Sequence, residues 1–120
     1  MDKIERIIRR KRTIRKKVVG TKDRPRMCIY KGAKLITAQI IDDFSGNTVC
    51  GLSTQSKAVR NKIKTLTKKN VQSAVILGEE IAMLAAKKNV KKVVFDRSGY
   101  RYHGKVKAFA ESARKNGLEF

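Results

Sequence analysis

From Arg26 onward, apolar and polar residues alternate with a period of two, the mark of strands that bury one face. Along a strand predicted over Arg26–Lys31, Met27 and Ile29 point one way, and Cys28 and Tyr30 point the other. A tight Gly32-Ala33 turn leads into a second strand over Lys34–Asp42. There Ile36, Ala38 and Ile40 face the core, while Thr37 and Gln39 share the Tyr30 side. Asp43–Asn47 has the composition of a turn, and Thr48–Thr54 reads as a third strand. The result is an antiparallel meander with one apolar face and one mixed face.

The period then lengthens to that of a helix. Asn70 is placed to cap it, and Val71, Ala74, Val75, Gly78, Ile81, Ala82 and Ala85 form the predicted buried stripe. Glu79, Glu80, Lys87 and Lys88 fall on the wet side, Gly78 allows close approach to the sheet, and Asn89 ends the helix. Val93–Phe95 is a short buried strand, and the strand–helix–strand order makes a crossover, so this strand is expected parallel to a neighbour. A loop from Asp96 to His103 precedes a last helix starting near Gly104, with Val106, Phe109, Ala110 and Ala113 inward and Asn116-Gly117 as its stop. Between the third strand and Asn70, the stretch Gln55–Lys69 holds six basic residues and no acid, and reads as a basic loop with room for a helical turn. The fold class is therefore α/β, a single β-β-β-α-β-α domain over residues 25–120. It follows a break at Gly20–Pro25 that contains the only proline.

Residues 1–24 are different in kind. Eleven are basic and three acidic, and the apolar stripe begun by Ile4, Ile7 and Ile8 is interrupted at Lys11 before Ile14. Such a segment buries little against a core and reads as a basic N-terminal arm, helical or ordered by a partner. Across the chain of 120 residues, 30 Lys and Arg oppose 10 Asp and Glu, a formal charge of +20. A domain so charged repels itself until a polyanion neutralises it. Membrane surfaces fit poorly, because no segment joins a basic face to a stripe of Trp, Phe or Leu. No apolar run approaches the ~20 residues of a membrane span, and Met1–Glu5 holds no apolar signal core, which predicts an intracellular protein. Cys28 and Cys50 form no metal-binding spacing and are expected as two buried thiols rather than a disulfide.

Residues able to do chemistry concentrate between Phe95 and Gly104. A loop between a strand and a helix can offer backbone N–H groups and a helix N-terminus to a phosphate. Arg97, Arg101, His103, Lys105 and Lys107 add charge, and Tyr100 and Tyr102 can stack on bases or sugars. The blander account is an ordinary connection in which Asp96 holds Arg97 or the loop backbone. Catalysis has little support: the single histidine, His103, lacks an orienting acid and a nucleophile in any motif. Asp42 and Asp96, with Asp43 as the one possible companion, are too few carboxylates for a metal-dependent nuclease. No nucleotide-binding glycine motif occurs, so no catalytic residue, metal or cofactor is assigned, and no small-molecule substrate or membrane is expected.

The run Val93-Val94-Phe95-Asp96-Arg97-Ser98-Gly99-Tyr100-Arg101-Tyr102-His103-Gly104-Lys105-Val106-Lys107-Ala108 closely resembles the signature of the bacterial large-subunit ribosomal protein eighteen family. The ending Ala113–Phe120 and the blocks Arg15–Thr21, Arg24–Arg26 and Ala38–Asp43 match in order as well, so the resemblance covers nearly the whole chain. It departs at Thr37, where the family often has tyrosine, and at Ser98, where glycine is usual. The resemblance implies a mixed four-stranded sheet with helices packed on one face. It also implies a non-enzymatic role: binding 5S rRNA and helping to join it to 23S rRNA in the central protuberance, beside neighbouring large-subunit proteins of the cytoplasmic ribosome. The expected RNA-binding residues are Arg9, Arg10, Arg12, Arg15, Lys16 and Lys17 in the arm, and Arg24, Arg26, Tyr30, Lys31, Lys34, Thr37 and Gln39 around the sheet. Arg97, Tyr100, Arg101, Tyr102, His103, Lys105 and Lys107 complete the set from the loop. A nonspecific nucleoid or RNA-chaperone protein is the rival, and it would bind duplex DNA about as well.

Overall fold

The alternation after Pro25 does build strands. In a computed structural model, which describes residues 2–17, 19–32, 35–63 and 70–120, β1 (Arg26–Lys31), β2 (Ile36–Asp42) and β3 (Asn47–Ser53) form an antiparallel meander. β4 (Val94–Asp96) pairs parallel with β1, giving a four-stranded mixed sheet in the order β3-β2-β1-β4. The inward residues are those the alternation marks: Met27, Ile29, Ile36, Ala38, Ile40 and Cys50 are all buried. Opposite them, on the second face, Tyr30 pairs with Thr37 and Cys28 with Gln39. Ala33 of the predicted turn and Lys34, the predicted start of the second strand, lie outside the described residues. Gly32 N–H donates to Leu35 O at 2.8 Å, and regular pairing begins at Ile36.

Helices α3 (Asn70–Lys87) and α4 (Lys105–Lys115) cover the apolar face, with Leu77, Ile81, Val106 and Phe109 fully buried against the strands. Two features of the predicted stripe change. Val71 is exposed, one turn before the helix reaches the sheet, and Leu77 takes a central place in the core. Gly78 permits a close approach, but to α4 rather than to the sheet. A Cβ there would lie 2.6 Å from Phe109 O, and Ser112 Oγ donates to Val75 O at 2.6 Å beside it. Within the predicted basic loop, a short helix α2 (Lys57–Ile63) buries Val59 and sets Lys62 against Glu80 of α3.

The helices α3 and α4 end in the same way. At α3, Val90 N–H bonds to Ala85 O and Asn89 N–H to Ala86 O, with Asn89 at φ 62°. At α4, Leu118 N–H bonds to Ala113 O and Gly117 N–H to Arg114 O, with Gly117 at φ 114°. These paired bonds satisfy carbonyls that a bare helix end leaves open. The second one also turns the chain back along β4: Val93 N–H donates to Glu119 O at 3.0 Å, Glu119 N–H donates to Lys91 O at 2.9 Å, and the Phe120 ring lies 5.5 Å from that of Phe95.

The arm is helical as α1 (Lys3–Lys17). It touches the body more closely than its broken apolar stripe suggests, because Gly99 has no side chain: a Cβ there would sit 2.5 Å from Ile7 O and 3.2 Å from Lys11 N. Ile4 and Ile8 stay exposed.

Candidate nucleic-acid interface

The loop after β4 is shaped from inside by one fully buried carboxylate. Asp96 Oδ1 accepts from Ser98 N–H at 2.8 Å, and Asp96 Oδ2 accepts from Arg26 Nη1 at 2.8 Å. Asp96 thus holds the loop backbone as expected, but its basic partner is Arg26 and not Arg97. Arg97 instead donates to Tyr100 O at 3.0 Å, closing the loop on itself. Ser98 and Gly99 both take positive φ, 56° and 81°, a region that suits glycine and costs a residue with a Cβ.

Arg26 is drawn into the protein, in contrast to its sequence-predicted place at the RNA surface. Its guanidinium also makes a two-point contact with Asp43, Nε to Oδ2 and Nη2 to Oδ1, each 3.0 Å. Asp43 Oδ2 further accepts from Gly20 N–H at 2.6 Å, and Asp43 N–H returns a bond to Gly20 O. These carboxylates hold the Arg26 proton firmly, so its pKa is raised, first through Asp43 and less through Asp96, against the lowering effect of burial. Asp43 and Asp96 therefore converge on a cation of the chain itself, while Asp42, the other carboxylate of the nuclease reading, accepts from Phe44 N–H at 3.0 Å in the turn after β2.

The remaining candidates gather in two places. Around one cavity of about 550 Å³, Arg10 of the arm meets Lys31, Tyr100, Arg101 and His103 of the body, together with Lys3, Arg6 and Ile7. Tyr100 is anchored there: its hydroxyl accepts from Lys31 N–H at 3.2 Å, and Lys31 Nζ lies 4.9 Å from its ring centre. Around a second hollow of about 580 Å³, Phe95, Tyr102 and Phe120 form an aromatic floor rimmed by Arg24, Arg97 and Arg114. Tyr102 is 41 % exposed, meets Phe95 edge to face, and accepts from Arg114 Nη1 at 3.4 Å. Arg114 in turn lies over the Phe120 ring at 4.5 Å.

Other candidates stand apart from these two groups. Tyr30 and Gln39 are exposed and Thr37 is half-buried on the open sheet face. Arg9 and Arg12 are exposed on α1. Lys107 is exposed on the first turn of α4 and lies 4.0 Å from Glu111, while Lys105 is half-buried. That turn begins at Gly104 without a side-chain cap, so its first N–H groups have no side-chain acceptor. Arg15, Lys16 and Lys17 lie on the last turn of α1, with side chains outside the described ones, and Lys34 lies outside the described residues. Lys3, Arg6 and Arg114 escape the sequence reading. For the first two a signal existed: Lys3, Arg6, Ile7 and Arg10 follow the i, i+3, i+4, i+7 spacing of one helix face. Nothing in the spacing singles out Arg114.

Among the described residues, no group of three or more His, Cys, Asp or Glu side chains is arranged to hold a metal ion, and no helix is long and apolar enough to cross a membrane. What the two hollows present is positive charge beside aromatic rings, a combination suited to phosphates and unstacked bases.

Comparison with known proteins agrees with that chemistry. The family model described as "Ribosomal L18 of archaea, bacteria, mitoch. and chloroplast" matches residues 1–120. Among curated proteins, "Large ribosomal subunit protein uL18" of Dictyoglomus thermophilum is 52 % identical over 107 residues, covering 89 % of this chain and 86 % of that one. Its counterpart in Thermotoga neapolitana is 50 % identical over 116 residues, covering 97 % and 93 %. That of Aquifex aeolicus is 47 % identical over 116 residues, covering 97 % and 94 %. The chain belongs to the ribosomal L18 family, and so is a structural protein of the ribosome rather than an enzyme.

Proposed function

We propose that this protein binds 5S rRNA in the large subunit of the cytoplasmic ribosome and helps attach it to 23S rRNA in the central protuberance, beside neighbouring ribosomal proteins. One observation carries the reading. The loop spanning residues 97–103 sends charge and aromatic surface to both hollows, with Tyr100, Arg101 and His103 on one and Arg97 and Tyr102 on the other. A protein that needed only to neutralise phosphate would require the charge without the rings. Lys and Arg supply the salt-dependent part of the affinity by releasing counterions. The rings and the guanidinium planes supply discrimination by stacking on bases that a duplex keeps paired.

The competing account, a nonspecific nucleic-acid binder, predicts similar affinity for any polyanion. The two are separated by competing labelled 5S rRNA with duplex DNA and with an unrelated structured RNA at one salt concentration. Preference for 5S rRNA by about a thousandfold or more is the expected outcome, the lower range of specific over nonspecific binding being about 10³ for DNA readers. Equal competition by duplex DNA would overturn the proposal.

A further inference from the structure

We infer that Asp96, an acid inside a basic protein, is a positioning residue for RNA recognition: through the loop over residues 97–103 it sets the preference for 5S rRNA over other RNA. The inference rests on the proposed 5S binding and deepens it. Asp96 is 0 % exposed, so it touches no RNA itself. It acts on the turn that follows it. Ser98 and Gly99 stand in succession at positive φ. The reversal they make sends Arg97 to one hollow and Tyr100, Arg101 and His103 to the other. A residue with a Cβ is disfavoured in that backbone region, and such a conformation persists only where its surroundings hold it. The bond from Ser98 N–H to Asp96 Oδ1 is that hold, and it lies in the interior.

The carboxylate is itself fixed in place. Its other oxygen meets Arg26 Nη1, Asp43 grips the same guanidinium at two further points, and Asp43 is bonded to the backbone of Gly20. On the far side the turn is closed by Tyr100 N–H on Arg97 O and by the Arg97 guanidinium on Tyr100 O. Stacking rings and planar guanidinium forks are directional, so they discriminate only from a fixed position. Neutralising phosphate depends on charge and tolerates movement. Loss of the Asp96 hold therefore separates two parts of the RNA affinity, and the two predict opposite signs. Removing an acid raises the net positive charge, which on charge alone strengthens binding to every RNA. Loss of positioning weakens binding to 5S rRNA.

Three variants of the full chain test this. Asp96→Val removes the acceptor, Asp96→Asn keeps an acceptor for Ser98 N–H without the charge, and Leu77→Ala supplies a loss of stability from the packing of α3. Affinities for 5S rRNA and for an unrelated structured RNA are measured at one salt concentration and at a temperature where each variant is folded. Amide exchange over residues 97–103 is followed without RNA. Asp96→Val is expected to lose about tenfold or more in 5S affinity, the scale of a lost base stack. It should bind the unrelated RNA at least as tightly as wild type, and exchange faster over residues 97–103. Asp96→Asn and Leu77→Ala are expected to keep the 5S preference. Should Asp96→Val not fold, Ser98→Thr strikes the same turn from its other side, because a β-branched residue resists positive φ, and the same pattern is expected. An unchanged 5S preference, equal weakening on both RNAs, unchanged exchange over residues 97–103, or an equal loss of preference in Asp96→Asn or Leu77→Ala overturns the inference. A wild-type protein without 5S preference overturns the 5S reading instead, and is seen before any variant is made.

Discussion

Replacing Arg26 by Met keeps much of the side-chain volume and removes a cation that Asp43 and Asp96 share. Asp96 is fully buried and would keep its bond from Ser98 N–H, with its negative charge no longer balanced by the guanidinium. Breaking a buried pair from one side costs about 3–5 kcal/mol, because a charge is left in a medium that cannot solvate it. Asp43, with a side chain 27 % exposed, adds little to that figure, since water can replace its lost partner. For a domain of this size, 1 kcal/mol moves Tm by roughly 4 °C, so Arg26→Met should melt roughly 12–20 °C lower. Thermal and urea unfolding at low and high salt measure this, and the loss should persist at high salt because a buried pair is poorly screened. A cycle with Asp96→Asn should return a coupling of about 2 kcal/mol. At a temperature where the variant is folded, its RNA affinity should be close to wild type. A Tm within about 2 °C of wild type, together with a tenfold loss of RNA affinity, would refute the reasoning and return Arg26 to the surface.

Further tests separate residues that resemble one another in sequence. Tyr102→Ala should weaken 5S rRNA binding by roughly tenfold, within the ~1–3 kcal/mol of a base stacking on a ring, and leave Tm nearly unchanged. Tyr100→Ala should instead lower stability by about 1–2 kcal/mol through its lost bond to Lys31 N–H; equal effects on both measurements would show the two rings are equivalent. Deleting residues 1–17 should preserve a cooperative melt with a shallower salt dependence of RNA binding, whereas deletion through Gly20 should lower Tm further, because Gly20 is bonded to Asp43. Burial raises the Cys50 pKa, so the folded state favours its neutral thiol: any stability gained is present below about pH 9 and fades as pH rises beyond that value. Iodoacetamide should accordingly label half-buried Cys28 faster than buried Cys50, and a faster Cys50 would contradict the packing.

Where local pattern dictates structure, the residues alone were informative. Met27, Ile29, Ile36, Ala38 and Ile40 bury because a two-residue period admits one inward face. Asn89 and Gly117 end their helices because they tolerate the left-handed turn. Relations across the chain were hidden. Arg26 and Asp96 stand 70 residues apart, and an arginine drawn into a core looks the same in sequence as one that meets RNA. Gly78 opens the way to α4 rather than to the sheet, a choice made by the packing of two helices and not by either one. The helix face Lys3, Arg6, Ile7 and Arg10 was legible but uneven, since it mixes one apolar residue with three cations and so carries no amphipathic signal.

The backbone pairing of Glu119 with Lys91 and Val93 has a consequence for how the molecule is made. Strand β4 flanks β1 on one side, and on the other its approach is guarded by residues 118–120, with Phe120 laid on Phe95. A ribosome building this chain releases β1 about 90 residues before Glu119 is available. Until then the aromatic hollow lacks part of its floor, and the backbone groups at the head of β4 are open to pairing with other chains. Covering of that strand head thus waits on residues 118–120, and a nascent protein arrested at Lys115 would hold all four strands with the approach to β4 open.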